Sequence, residues 1–529
     1  MATRAPQNNG MPNFDESFDV VVVGFGFAGA FSAIHAADGG CRVLLAEKQA
    51  MPGGISICSY GSMRCARDAD DAFAYLKATN AERTPDDIIR MLAEGMTKIE
   101  QEIRDLAQVN GAKVGVRRNG GNYPFPGHDT FYDANIVEVP GFDDAQALYP
   151  HFRGGRSGSG WRVLKVLEDN VARRDIEVRC AFMAERLIAT GDREVLGVCF
   201  RDQNGRVIAV KARRGVILAC GGFESNAEMK AQYWEKAPVL PVATTANTGD
   251  GIRMAQDIGA ALWHMWHYHG AYGFRYPNPK IPLALRVKRL PDWFPGREAA
   301  ATARMCWIVV DRDGRRYMNE YPPYAQDTSH RPMEYYDPAR QIFPRIPSYL
   351  IFDENGRKLY AVGQAIYNAA GLHFEWSEDN LREIELGIIK KADTLEELAL
   401  LVSVDPRVLG TTIGRWNAAC QQGRDEEFGR PRGTMMRIEM PPYYVGEIWP
   451  MVSNTQGGPV HNARRQIMDV FGAPIPRLYS AGELGSAFGF LYLSGGNLSE
   501  CVIGGRTAGR GAAALEPWDQ KARSCQAIE

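Results

Sequence analysis

Apolar and polar positions along this chain change period several times, and the first change is the sharpest. Residues 19–23, Asp-Val-Val-Val-Val, form a short apolar, β-branched run that reads as a strand. Gly24, Gly26 and Gly29 follow at once, and a stretch of small and apolar residues then runs to Asp38 with helical spacing. A second apolar run, residues 41–46, ends in Glu47. The order is strand, turn, helix, strand. Further along, residues 216–220 form another apolar run before Gly221 and Gly222, and residues 394–401 and 407–422 carry a helical period. A helix rich in small residues is expected over 498–514, and Asp311-Arg-Asp-Gly314 and Asp353-Glu-Asn-Gly356 read as turns.

Composition narrows the class. The chain has 529 residues, 45% hydrophobic and 23% charged, the balance of a soluble globular protein with a sizeable core. Its net charge of -2 lacks the footprint that nucleic-acid binding demands. No unbroken apolar run is long enough for a membrane span, and the polar first residues lack the core of a signal peptide. The ten cysteines are scattered without a C-x-x-C pair, which suggests a reduced, cytoplasmic protein. Three histidines fall within Trp263-His264-Met-Trp266-His267-Tyr268-His269. Read as a strand, the segment puts His267 and His269 on one face and His264 on the other, so no metal site is expected. Its aromatics would line a pocket or the core.

The glycines of residues 24–29 carry the first chemistry. Gly24-Phe-Gly26-Phe27-Ala28-Gly29 stands between a strand and a helix, with the acid Glu47 about twenty residues on. That arrangement lets backbone and helix N-terminus approach a pyrophosphate, while the acid bonds a ribose hydroxyl. A dinucleotide cofactor is expected.

Further segments follow in order: Met51-Pro-Gly53-Gly54-Ile55-Ser56 after Glu47-Lys48, Val216-Ile-Leu-Ala219-Cys-Gly221-Gly222-Phe223, Thr248-Gly249-Asp250-Gly251, Leu478-Tyr-Ser-Ala-Gly482-Glu483 and Ser494-Gly495-Gly496-Asn497-Leu498. Together they resemble the flavoprotein superfamily of fumarate reductases, succinate dehydrogenase flavoprotein subunits and 3-ketosteroid dehydrogenases, over about residues 18–515. The resemblance implies FAD, with Glu47 on the adenosine ribose and Glu483 near the ribityl chain. Residues 53–61 hold no histidine, so the FAD is expected to be non-covalent. The implied fold is α/β: a Rossmann-like FAD-binding domain, residues 18–265 and 441–515, interrupted by an inserted α+β capping domain, residues 266–440, with tails at 1–17 and 516–529. In that superfamily the cap closes over the flavin and excludes water.

Within the resemblance the site residues favour one branch. Fumarate reductases read H-T-M-G-G where this chain has Asn454-Thr-Gln-Gly457-Gly458, and N-R-x-G-G-N where it has Tyr492-Leu-Ser-Gly-Gly-Asn497. The Arg and His that pair with a dicarboxylate are missing, and no His-Pro occurs near Trp263. Ketosteroid dehydrogenases instead carry a Tyr-x-x-x-Gly like Tyr492 and Gly496, where the phenol and the glycine N–H hold the ketone oxygen. Ser494 resembles the serine of the group that desaturates the 4,5 bond. The tract Asn319-Glu320-Tyr321-Pro-Pro-Tyr324 resembles the one that supplies the proton-abstracting tyrosine, so Tyr324 is the candidate base, with Tyr321 in competition and Tyr123 or Tyr132 as a possible FAD-domain partner.

The expectation is an FAD-dependent dehydrogenase that introduces an α,β double bond into a cyclic ketone, a 3-ketosteroid or a smaller cyclohexanone-type ring, and passes electrons to an external quinone-like acceptor. An ene-reductase of an unsaturated acid or enone, or an electron-transfer flavoprotein subunit, are the alternatives. A neutral pocket of Tyr492, Leu493, Tyr324 and the aromatics of residues 263–272 is expected to prefer an apolar ring.

Overall fold

The computed structural model describes residues 13–142, 160–288, 304–322, 328–365 and 374–520. Its first sheet is built around the valine run. The strand Glu16–Val23 lies parallel to Val43–Ala46 on one side and to Val207–Leu218 on the other, with Val20 opposite Val43 and Val23 opposite Ala46. Val20 and Val22 enter one buried cluster while Phe18, Val21 and Val23 enter another. Both faces are therefore covered, which is why the run is continuous rather than alternating. Pro474–Ser480 extends the sheet beyond Val207–Leu218, and Glu177–Arg179 beyond Val43–Ala46, both parallel.

The helix Phe27–Asp38 packs on this sheet against a later helix, Gly496–Ala513. The small residues of that later helix are explained by the first. A Cβ on Gly505 would lie 2.6 Å from the Phe31 Cβ and 2.8 Å from the Ala28 carbonyl oxygen. The small residues thus allow a close approach of helix to helix.

A second sheet has the long strand Tyr443–Thr455 at its centre, paired antiparallel with Tyr268–Arg275 and Ser348–Asp353. Ala284–Val287 joins the outer edge of Tyr268–Arg275. Two helices cover the sheet, Leu395–Leu401 with a Thr394 and Glu397 capping box and Pro406–Gln422 with Asp405 at its N-terminus. Asp353-Glu-Asn-Gly356 is not a free turn: Asp353 caps a short helix, Glu354–Arg357, accepting from the Gly356 N–H. Among the described residues no helix is long and apolar enough to cross a membrane.

The expected strand through the three histidines is broken. Leu262–Trp263 is a two-residue strand, His264 turns the chain at φ 53°, and Tyr268–Arg275 begins afresh. The His264 ring nitrogens lie 2.9 and 3.2 Å from the Ser486 and Arg83 carbonyl oxygens, and these tertiary contacts outweigh strand propensity.

Candidate active site

A cavity of about 540 Å³ is walled jointly by the parallel sheet and the underside of the second sheet. Gly24, Gly26, Phe27 and Ala28 form part of it. Gly29 does not; it packs against the Gly24 carbonyl, where any Cβ would collide. The helix Phe27–Asp38 starts at Gly26 without a side-chain cap and without an acid in its first turn. The Phe27 N–H reaches Ser56 Oγ at 3.3 Å, leaving the next N–H groups without intrahelical acceptors. That is an anion site facing the cavity.

Glu47 stands at the same end. Its carboxylate accepts from the Phe25 and Gln49 N–H groups, each at 2.9 Å, while burial raises its pKa above the ordinary value. Lys48 and Asp250 hold each other at 2.6 Å, and Lys48 also donates to Thr248 Oγ1. Gly54, Ile55, Ser56, Ala219 and Gly221 complete this wall, whereas Gly53, Gly222 and Gly482 serve packing. Ser453 Oγ and Asn454 Nδ2 are buried in the cavity wall with no partner among the described residues. Orphaned polar atoms and an uncapped helix end fit a polar, phosphate-bearing cofactor such as FAD.

Glu483, also in the wall, is one half of an acid pair. Its Oε1 accepts from the Thr455 N–H at 2.8 Å, and Asn247 Nδ2 bridges Glu224 Oε1 at 2.7 Å and Glu483 Oε2 at 3.4 Å. Glu224 is completely buried, and loss of hydration pushes its pKa up to about 7; burial and the Glu224 charge push Glu483 well up too. Two such carboxyls retain a proton between them near neutrality.

The other end of the cavity is organised by a guanidinium absent from the sequence-based expectation. Arg64, fully buried, donates from Nε to the Ser494 carbonyl at 2.7 Å and from Nη1 to the Asn119 carbonyl at 2.5 Å. Asn122 Oδ1 accepts from the Ser494 N–H at 2.8 Å. Residues 492–495 are thereby clamped on both sides of Ser494. Tyr492 faces the cavity, its ring edge-on to His269 with centroids 4.4 Å apart. His269 Nδ1 lies 3.2 Å from Asn497 Oδ1, which ties this ring to the first turn of the helix Gly496–Ala513. Gly495, Asn497 and Leu498 of that turn reach the cavity. The Gly496 N–H, expected to point at a substrate oxygen, donates instead to the Leu493 carbonyl at 2.7 Å, while Tyr492 is part of the cavity lining.

Tyr324 lies outside the described residues. Its rival Tyr321 packs against the core of the second sheet and is not in the cavity wall. Tyr132 faces away, its neighbours being Cys65, Glu100 and Arg67, while Tyr123 adjoins the Asn122 clamp. The tract that leads to Tyr324 is anchored by a buried ion cluster: Glu320 accepts from Arg316 at 2.8 Å and Arg430 at 3.3 Å, and Asp425 takes the other side of Arg316 at 3.0 Å.

The lining departs from an uncharged aromatic pocket. Leu493 is 1% exposed in the core, Tyr272 packs on Trp307 in the core of the second sheet, and Trp263 stacks on His264. Strand alternation turns Tyr272 away, and polar groups take part in the wall: Arg117, Asn119, Asp133, Arg286 and Asn454. Among the described residues no cluster of histidine, cysteine and acidic groups could hold a metal. Arg64, Asn122, Glu224 and Arg286 lie outside the glycine motifs that sequence reading follows. A charged residue within the otherwise apolar run Met63–Ala66 was the one available hint for Arg64.

Comparison with known proteins gives this geometry a context. The profile of a family described as "FAD binding domain" matches residues 19–498. The digoxin reductase of Eggerthella lenta is 27% identical over 530 residues, covering 95% of this chain and 88% of that protein. The fumarate reductase (cytochrome) of Shewanella frigidimarina is 28% identical over 503 residues, 94% of this chain and 77% of that protein. The crystal structure of 3-ketosteroid delta1-dehydrogenase from Sterolibacterium denitrificans, in complex with 1,4-androstadiene-3,17-dione, shares the fold with a TM-score of 0.75 and 23% identity, over 94% of this chain and all of that one.

Proposed function

Because the chain belongs to the FAD binding domain family and is an FAD-dependent oxidoreductase of the fumarate reductase and ketosteroid dehydrogenase type, we propose that it introduces an α,β double bond into a cyclic ketone. The observation that carries this reading is Tyr492: a phenol in the cavity wall, fixed through Arg64, Asn122 and His269, where the reductases that the sequence resembles need cationic groups for a dicarboxylate. Leu493 and Asn454 cannot supply those charges. FAD, when bound, supplies the hydride acceptor.

The chain's own residues do the rest. Tyr492 donates to the ketone oxygen and stabilises the charge that develops there as the α proton leaves. Tyr324, four residues along the chain from Glu320, is the proposed base for that proton. Positive charge from Arg64, whose neighbours include Tyr492, keeps that end of the cavity favourable to a developing enolate. The cap's underside excludes water from the site. Electrons leave to an external acceptor of quinone type.

Anaerobic bleaching of the flavin absorbance tests the reading. Cyclic ketones are expected to bleach it, and fumarate is expected neither to reoxidise the reduced protein nor to protect it thermally. Rapid reoxidation by an unsaturated acid or enone, with no bleaching by any cyclic ketone, would replace the dehydrogenase by an ene-reductase, the direction that the names of the two reductase relatives favour.

A further inference from the structure

Glu224 is a buried acid that no step of the proposed reaction uses. It stands just beyond the strand Val207–Leu218, after Gly221 and Gly222, and is 0% exposed. The two glycines make room for it and its partners. A Cβ on Gly221 would lie 2.5 Å from Asn247 Nδ2, and one on Gly222 would lie 2.6 Å from Glu483 Oε1 and 3.1 Å from Glu224 Oε2. The two carboxyl groups thus converge on the space that Gly222 leaves open.

One amide serves both acids. Asn247 Nδ2 donates to Glu224 Oε1 at 2.7 Å and to Glu483 Oε2 at 3.4 Å. Glu483 Oε1 also accepts from the Thr455 N–H at 2.8 Å and from its hydroxyl at 3.2 Å, and that hydroxyl in turn accepts from the Phe223 N–H. Glu224 Oε2 has no donor among the described residues. The neighbouring elements bring little charge to offset the pair. Lys230, on the helix Ala227–Tyr233, is the cation that acts on Glu224, but its Nζ donates to the Val239 carbonyl at 2.6 Å and burial lowers its pKa to about 8. Cys501, on the helix Gly496–Ala513, faces Glu483 as a neutral thiol whose pKa burial pushes up to about 12. Two full negative charges here would lack both water and a counter-charge, so one proton stays between the carboxyl groups.

We propose that Glu224 is a positioning residue for the cofactor: by sharing one proton with Glu483 it holds the cavity wall at a single negative charge, and FAD is retained tightly only while that proton is present. Glu483 lines the cavity, and Glu224 acts through it. FAD filling this cavity excludes water from that side of Glu483 and brings its own negatively charged diphosphate. Both effects disfavour a second charge on the pair. The sign follows: retention is full while the pair holds its proton and weakens as rising pH removes it. This concerns cofactor binding and holds whichever ring or acid the enzyme takes.

The test follows cofactor release rather than turnover. Holoprotein is diluted in steps between about pH 6 and 9, and the fluorescence of free FAD at equilibrium gives Kd. One linked proton changes affinity by about tenfold per pH unit, so the native Kd is expected to rise with a slope that approaches that value on the alkaline side. Glu224→Gln leaves Glu483 as the one charge, and its Kd is expected to stay level. Lys230→Met removes the other nearby group that titrates in this range; the slope is expected to survive, moved to higher pH because a favourable cation is gone. Glu483→Gln takes away the second acid and is expected to flatten the profile as well, which decides the question if Glu224→Gln does not fold. A level native profile, a slope that persists in Glu224→Gln or Glu483→Gln, or a slope lost in Lys230→Met overturns the proposal.

Discussion

Replacing Glu224 by Gln isolates one proton from everything else that titrates in this protein. Glu224 is completely buried, bonded by Asn247, and paired with Glu483 in the cavity wall. Burial raises its pKa from 4.5 to about 7. At about 1.4 kcal/mol per unit, that shift is worth about 3 kcal/mol. The sign follows from the direction. A carboxyl whose folded pKa is raised favours folding while it is protonated, so its contribution is fully present below about pH 4.5 and is lost as the pH rises through about 7. Glu224→Gln keeps the shape and the neutral form, because the amide oxygen still accepts from Asn247 and the amide N–H can donate toward Glu483. Thermal melts of the native and variant holoproteins between about pH 5 and 8.5 should therefore diverge, with the native protein falling by a few degrees relative to the variant toward the alkaline end. Buried His264, His267 and His461 have lowered pKa values and titrate on the acid side in both proteins, so they cancel in the difference. Parallel melting curves, or a variant that melts below the native protein near pH 8, would refute the shared proton.

Other perturbations reach the remaining parts of the argument. Tyr492→Phe should cost about 10²–10³-fold in flavin reduction at full flavin content, because the Gly496 N–H is spent on the Leu493 carbonyl and no second donor from that turn compensates; a near-normal rate would return the oxygen site to Gly496 or elsewhere. Tyr324→Phe should lose about 10²–10⁴-fold in the same assay, the usual range for a positioned base, and if it does not, Tyr321 is the next residue to replace. Gly26→Val should purify without flavin, since a branched side chain would meet Ser56 Oγ and fill the approach to the helix end, whereas acid precipitation of the native protein should release its FAD into the supernatant. Glu320→Ala leaves Arg316 and Arg430 buried without their carboxylate, and should destabilise the protein by about 3–5 kcal/mol in chemical denaturation; a smaller loss would mean that Asp425 alone satisfies the pair.

Local chemistry made the FAD-binding half legible in the sequence. A continuous valine run can be buried on both faces only inside a covered parallel sheet, a turn of glycines at 24 and 26 opens the next helix, and an acid closes the following strand, so strand, turn and the place of Glu47 follow from residue type and spacing. The helices Gly496–Ala513, Leu395–Leu401 and Pro406–Gln422 were readable for the same reason, their periods and ends being properties of a few consecutive residues. What lines the site was decided elsewhere. Arg64 reaches Ser494 across 430 positions of sequence, Glu224 meets Glu483 through Asn247, and Arg286 enters the cavity because strand alternation turns its neighbours into the cap core. The same alternation removed Tyr272 from the pocket, and two backbone carbonyls turned His264 out of a strand. Burial, charge balance and strand register are set by which distant segments come together, and spacing along the chain carries no record of that.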